Sequence, residues 1–534
     1  MKNQFIRGTF LLTGASLLSK ILGFVYIMPF TMLVGTSGYA LYKYAYGPYT
    51  LMLSISTLGL PLAVSKFVSK YNGMGNYRAG YELLKTGMIL MIITGAISCV
   101  SLYTLAPTLA QTVIQRNSES GNTIEDVVYV IRLVSISLLV VPPMSLLRGY
   151  FQGNQSMGPS ALSTVLEQLV RVTFIVGGAY LMIHVWKGTT TEAVGIGALG
   201  AFVGGTAGLF TLLIIYQRRK RWIQEDVDRS RQAPKMSLFA IYKELIGYAI
   251  PFVVVGLTLP IYQNIDTFTI NRLFQGIGYP LTKAEEINSI IGFTQILIMI
   301  PVSLATAFGM SLIPNITVKY VAKELSVVRD YMTKTLQILC FFLVPAVVGL
   351  TILSTPIYLM LFGIDNNPFL GGYLLKWSAG QALFFALFTV TAAILQGLNQ
   401  QKSLLFSMFV GVGVKFLLNI LLVPVIKEIG PTVATYGGYF MSILFNLYFI
   451  KKTIFYSFVP LYRPLLWVAS LASMMGMVVF MMSEVVRAYF SPIFASYHLS
   501  WVIVISSVAV GLFFYIGLGM HLSFIKELRG KKTP

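Results

Sequence analysis

Carboxylates are scarce in this chain: 19 Asp and Glu stand against 39 Lys and Arg among 534 residues, and charged residues of every kind make up only 11%. So little charge cannot cover the surface of a soluble protein of this size. Cysteine is nearly absent as well. Cys99 and Cys340 each stand alone in apolar text, which excludes the usual disulfide frameworks and zinc spacings and leaves packing as their role. The histidines, His184, His498 and His521, lie far apart near the ends of apolar runs, so neither a metal cluster nor a catalytic triad is indicated. No P-loop sequence is found, and nothing suggests that the chain itself burns ATP. No cofactor and no metal are expected.

What the chain has is apolar length. Hydrophobic residues make up 56% and the mean hydropathy is +0.75. The apolar stretches are interrupted by Gly and Pro and do not alternate with period two, so they fit helices crossing about 30 Å of hydrocarbon and not barrel strands. The fold class read from this pattern is an all-α integral membrane protein. About fourteen spans are predicted, at roughly 8–34, 47–69, 83–105, 127–147, 159–183, 193–216, 245–270, 287–312, 333–355, 373–395, 402–423, 433–450, 464–483 and 498–520. With loops assigned alternately, about 27 of the 39 basic residues fall on the side of the N-terminus, which places both termini in the cytoplasm. The net charge of +20 is spread over many short inner loops and the tail Lys526, Arg529, Lys531 and Lys532. That distribution fits topology and contact with anionic lipid headgroups, not one nucleic-acid surface. The first apolar run continues past Lys20 to about Val34 without a clear cleavage site, so it reads as a retained first helix.

The chain also repeats itself. Arg171 and Lys415 each stand inside an apolar helix, 19 residues after a Gln-Gly turn (Gln152-Gly153 and Gln396-Gly397), and each pair is separated by 244. Pro61 and Pro301, in the second span of each half, are offset by 240, and the embedded charges Lys20 and Asp266, in the first span of each half, by 246. Two six-helix lobes with a shared orientation follow, related by an axis along the membrane normal. The boundaries expected are an N-terminal lobe at 1–217, a cytoplasmic linker at 218–244, a C-terminal lobe at 245–452, and two extra helices with a basic tail at 453–534. Within the linker, Lys235–Lys243 is expected to lie in the interface as a short amphipathic helix.

A charge held at mid-helix in lipid costs roughly 2.5 to 3.5 kcal/mol even on insertion scales, so charges that persist there face a wet interior and bind something. Thr13, Ser16, Lys20 and Gly23 line one face of the first span at three- and four-residue steps. The fifth span gathers Glu167, Gln168 and Arg171, the seventh Gln263, Asp266 and Thr267, and the eleventh Gly411, Lys415 and Asn419. Glu167 and Arg171, at i and i+4, can also be a purely structural ion pair. Lys20, Asp266 and Lys415 have no oppositely charged residue three or four positions away in the sequence and are expected to line a cavity, with Asn419 beside them. An excess of positive charge there would attract phosphate. Lys66, Lys70 and Arg148 near the inner end either snorkel to headgroups or capture a substrate headgroup. Pro61 and Pro301 are candidate hinges. Thr282–Glu285 and Asn122–Glu125 read as capping boxes opening the eighth and fourth spans.

The stretches Arg7-Gly-Thr-Phe-Leu-Leu-Thr13, Ser19-Lys-Ile-Leu-Gly-Phe24, Gly59-Leu-Pro-Leu-Ala-Val-Ser-Lys66 and Lys70-Tyr-Asn72 resemble the polysaccharide-exporter branch of the multidrug/oligosaccharidyl-lipid/polysaccharide (MOP) exporter superfamily. Within it the chain is similar to the SpoVB/YtgP-type, MurJ-like flippases of Gram-positive bacteria. The resemblance implies two six-helix lobes in a V around a central cationic cavity, the last two helices shaping a groove for a polyprenyl tail. It also implies a cargo of undecaprenyl-pyrophosphate-linked peptidoglycan precursor, moved from the cytoplasmic to the outer leaflet of the cell membrane, with Lys20 as a pyrophosphate contact. Other relatives carry arginines in the second helix. Here Leu51–Thr57 is uncharged, so the phosphate grip is expected to shift, with Arg171 and Lys415 as candidates.

The reading is therefore a transporter and not an enzyme. Its partners are a lipid-linked glycan, membrane lipids and cell-wall synthesis proteins, with no nucleic acid. Two alternatives stay open: an exporter of another lipid-linked oligosaccharide, or a cation/drug antiporter of the related multidrug branch, which would favour Asp266 and Glu167 over the lysines.

Overall fold

A computed structural model describes residues 2–57, 59–114, 121–230, 238–490 and 496–519. Of the described residues 91% are helical and none forms a strand. Contacts divide it into two compact units, Met1–Glu286 and Ile287–Pro534. The first holds helices α1 (Lys2–Val25), α2 (Ile27–Thr57), α3 (Leu60–Gly73), α4 (Tyr77–Val113), α5 (Ile124–Ser135), α6 (Val141–Gly153), α7 (Met157–Tyr180), α8 (Thr190–Arg229) and α9 (Leu238–Gly276). Helix α10 (Leu281–Val321) begins in the first unit and continues in the second. The second unit then adds α11 (Leu325–Ile352), α12 (Ser354–Phe362), α13 (Pro368–Ser378), α14 (Gln381–Gly397), α15 (Gln401–Ile426), α16 (Gly430–Ile454), α17 (Val459–Phe490) and α18 (Ser496–Gly519).

Eleven stretches are long and apolar enough to cross a membrane. Two of them hold a pair of crossings each. Leu18–Thr57 runs through a break at Gly35, whose φ of 69° is a left-handed conformation that a side chain would strain. Gln401–Ile454 runs through the 3₁₀ turn Lys427–Ile429. With α9 these give the expected total of about fourteen. Several crossings are jointed: Gly59 (φ 62°) separates α2 from α3, and a 3₁₀ turn at Ile136–Leu139 separates α5 from α6. Pro61 sits in the first turn of α3, where its missing N–H is no loss. Pro301 lies within the unbroken run of α10.

The internal repeat reappears in the backbone. After α6, Gln155 N–H bonds to the Gln152 carbonyl and Ser156 N–H to that of Phe151; after α14, Asn399 bonds to Gln396 and Gln400 to Leu395. Gln155 and Asn399 both adopt φ 56°. Each Gln-Gly turn thus closes its helix by the same left-handed cap. The α3–α4 turn at Gly75 and the α10–α11 turn at Lys323 share that pattern as well.

In the first unit, α3, α4 and α6 meet over a core that includes Val64, Phe67, Leu83, Met91, Leu146 and Phe151. The approach is close enough that a Cβ on Gly149 would collide with the Pro61 carbonyl. In the second unit α17 and α18 pack on α11 through Phe341, Leu471, Met475, Val479 and Ile503, and Tyr515 Oη donates to the Phe341 carbonyl at 2.8 Å. The extra C-terminal pair is therefore anchored by a buried apolar seam.

Helix α8 continues to Arg229 over 40 residues, about 60 Å at the α-helical rise and twice what hydrocarbon requires. The first part of the expected linker is thus an extension of that helix. Of the segment Lys235–Lys243, residues 235–237 lie outside the described residues, and from Leu238 the chain is continuous with α9. The tail from Met520 onward, with His521, is also outside them.

Two expected caps are corrected. The box that opens α5 is Thr123 with Asp126, one residue on from the expected Asn122–Glu125. Glu285 does not cap with Thr282. Its buried carboxylate accepts from Ser37 Oγ at 2.7 Å and from Asn122 Nδ2 at 2.7 Å, with the Asn122 N–H at 3.2 Å. A fully buried carboxylate needs several donors, and those on Ser37 and Asn122 outcompete a local cap.

Candidate functional site

The strongest polar cluster of the first unit is built on α6 and α7. Glu167 accepts from Arg171 Nη2 at 2.6 Å, one turn along α7, and from Arg148 Nη2 at 2.8 Å, reaching over from α6. Side-chain exposures are 11% for Glu167, 16% for Arg171 and 17% for Arg148, so this is a nearly buried triad carrying one net positive charge. Arg148 is fixed further by Ser163 Oγ, at 2.8 Å from Nη2 and 3.2 Å from Nε, and Ser163 in turn donates to the Gly208 carbonyl. Arg171 is left with more to give: its Nε has no hydrogen-bond partner among the described residues.

Glycines on α8 let the helices approach this closely. Gly200, Gly204 and Gly208 recur every four residues on one face. A Cβ on Gly204 would lie 2.7 Å from the Glu167 carbonyl oxygen and 2.7 Å from Arg171 Cβ, and one on Gly208 3.3 Å from Arg148 Nη2. Small residues in a membrane interface bring backbones together. Here they wall the triad on one side.

A tyrosine ladder on α2 stands near the triad. Tyr42 and Tyr46 stack at 5.1 Å, Tyr46 meets Tyr49 at 5.1 Å, and Tyr39 extends the row at 6.4 Å from Tyr42. Tyr42, Tyr46 and Tyr49 lie within electrostatic reach of Arg171. The sequence reading missed this ladder. Its signal was present in the spacing 39, 42, 46 and 49, which puts four rings on one helix face.

The remaining sequence-predicted residues divide sharply. Lys20, on α1, is exposed, and Gly23 one turn later packs against the Gln168 side chain, next to Glu167. Asp266 and Thr267 of α9 are each 1% exposed. Lys66 and Lys70 are exposed on α3, with the Lys70 ammonium 5.4 Å from the Phe67 ring centroid.

Lys415 departs from expectation. Instead of lining an open cavity it is 0% exposed, and its Nζ donates to Thr435 Oγ1 at 2.5 Å, with the Pro431 carbonyl at 3.4 Å. Asn419, also 0% exposed, lies one turn further along α15. Elsewhere along α15, Ser407 donates to Asn446 at 2.5 Å and Asn446 to Thr391 at 3.0 Å. The apolar text around Lys415 hid this enclosure, because Thr435 and Pro431 lie on α16.

Comparisons with known proteins agree with this architecture. Residues 5–318 match the family model described as "Polysaccharide biosynthesis protein". The chain is 39% identical to the Lipid II flippase MurJ of Bacillus subtilis (strain 168), over 100% of this chain and 98% of that protein. Among solved structures it is similar to a Lipid II flippase MurJ in an inward closed conformation, with a TM-score of 0.67 at 15% identity, covering 97% of this chain and 100% of that one. It is also similar to an inward-facing multidrug resistance MATE family transporter of the MOP superfamily, with a TM-score of 0.58 at 15% identity, covering 81% of this chain and 98% of that one. The chain belongs to the polysaccharide biosynthesis protein family.

Proposed function

We propose that this chain is a flippase that moves lipid II, an undecaprenyl-pyrophosphate-linked peptidoglycan precursor, from the cytoplasmic to the outer leaflet of the cell membrane. On this reading both termini lie in the cytoplasm, the lobes are 1–217 and 245–452, and the C-terminal pair attends the lipid tail. The full-length likeness to a protein named as a lipid II flippase supports the reading. The observation that carries it is the Arg148–Glu167–Arg171 triad: one carboxylate against two guanidiniums, with an unspent donor on Arg171.

Flipping breaks no bond. Its barrier is the passage of a charged, sugar-bearing headgroup through hydrocarbon, where an unpaired charge is very costly. A guanidinium already desolvated and held in place by Glu167 can exchange part of that pairing for a pyrophosphate oxygen at little reorganisation cost. Tyr46, the partly exposed ring of a ladder whose other members are buried, offers a face for a sugar ring. Rocking of the lobes about jointed crossings such as α2–α3, where Pro61 sits, would then expose the cargo to the other leaflet. Lys20 and the triad carry cargo handling, while Lys415 and Asn419, and in the first unit the equally enclosed Asp266, hold the packing together. The same excess of cations argues against a cation antiporter.

The test is leaflet accessibility of lipid II in cells depleted of this protein and complemented with wild type, Arg171→Gln or Lys20→Gln. Wild type should restore outward-facing lipid II and both variants should fail while still inserting in the membrane. Unchanged accessibility on depletion, or loss of cationic-dye efflux instead, would overturn the reading.

A further inference from the structure

A second polar site lies away from the triad, at the end of the first unit where α3, the α6–α7 turn and the extension of α8 meet. They enclose a cavity of about 890 Å³ lined by Arg218, Arg219 and Trp222 of α8, Asn72 of α3, and Asn154 and Ser156 of the turn. Asp226 also lines it, so the ionisable lining carries a net single positive charge. The walls are braced across the opening: Asn72 Nδ2 donates to Asn154 Oδ1 at 2.8 Å, and Arg219 Nη1 to Ser156 Oγ at 2.7 Å.

Three observations narrow the ligand. The volume is that of a small-molecule site and exceeds what a lone ion fills. Arg218 and Arg219 stand just past Tyr216, where the apolar text of α8 ends, and this is headgroup depth, not open cytosol. Trp222, 75% exposed, lies one turn further on, as an interfacial anchor does. Two guanidiniums, an amide pair and an indole at that depth suit a phosphodiester with a glycerol backbone. None of these residues belongs to the triad.

We infer that this cavity binds the headgroup of an anionic phospholipid, which bridges α3 and the Gln-Gly turn to the α8 extension. The shared chemistry is the phosphate group, and a membrane lipid is its source.

The test uses the full-length protein in neutral nanodiscs, titrated with phosphatidylglycerol, some of it brominated to quench nearby indoles, or with inorganic phosphate. Brominated phosphatidylglycerol should quench a tryptophan signal that is missing in Trp222→Phe. Arg218→Gln/Arg219→Gln should weaken the apparent affinity about thirtyfold, as expected for two lost interfacial arginine contacts. Arg218→Lys/Arg219→Lys should recover part of it and shows that the helix extension is intact. Equal titrations in wild type and the Gln variant would overturn the site. Inorganic phosphate competing away the lipid at low millimolar concentration would overturn the lipid as its source.

Discussion

Equivalent positions of the two halves hold a cation in different ways. Arg171 in the first unit shares Glu167 with Arg148, keeps some exposure and leaves a donor unused. Lys415, 244 residues later, is wholly enclosed, with the Thr435 hydroxyl and the Pro431 carbonyl at its ammonium. Duplication preserved where the charge sits but not how far it is enclosed. A partly exposed ion paired with another ion can trade partners with an incoming anion, whereas a wholly enclosed ammonium serves the packing around it.

The largest effect should come from taking away the shared anion. Glu167→Gln leaves two nearly buried guanidiniums facing each other, and the loss should be about 3 kcal/mol or more. Thermal unfolding of the purified protein measures it, and an unchanged midpoint would show that the arginines were not relying on Glu167. In the second unit, Thr435→Val removes the hydroxyl from the Lys415 ammonium and should cost about 1 to 3 kcal/mol. Lys415→Met replaces the ion with an apolar chain of similar length and should change stability by only about 1 kcal/mol while sparing transport. Transport abolished by Lys415→Met in a well-folded protein would erase the distinction between the two halves.

A finer contrast lies in the glycines. Gly204→Ala pushes on the α7 backbone at Glu167 and should cost about 1 to 3 kcal/mol. Gly437→Ala, on α16, meets mainly the tip of the Leu418 side chain, which can turn aside, and should cost less. Reversal of that order in paired unfolding experiments would mean that the α7–α8 contact is the more forgiving one.

Much of this was legible in the amino-acid order. The crossings follow from apolar length, and the Glu167–Arg171 pair follows from i and i+4 spacing, because both are local. The 244-residue offset even anticipated the matching caps at Gln155 and Asn399. Arg148 was placed at the inner end and not against Glu167, since its approach depends on how the Gln-Gly turn folds α6 back along α7. The enclosure of Lys415 depends on Thr435, 20 residues on, and no pattern within α15 announces it. Gly35 was invisible for the opposite reason: a single left-handed residue leaves no mark on hydropathy.

The carboxylate of Glu285 joins three segments far apart in the chain, gathering the Ser37 hydroxyl and both nitrogens of Asn122, while Asn122 also grips the Ser37 carbonyl at 2.9 Å. Such a knot does not loosen by degrees. Drawing any one segment aside strands the buried acid, so the remaining donors must let go almost together. That end of the bundle should therefore behave as a snap fastener, shut or sprung, with few stable positions between.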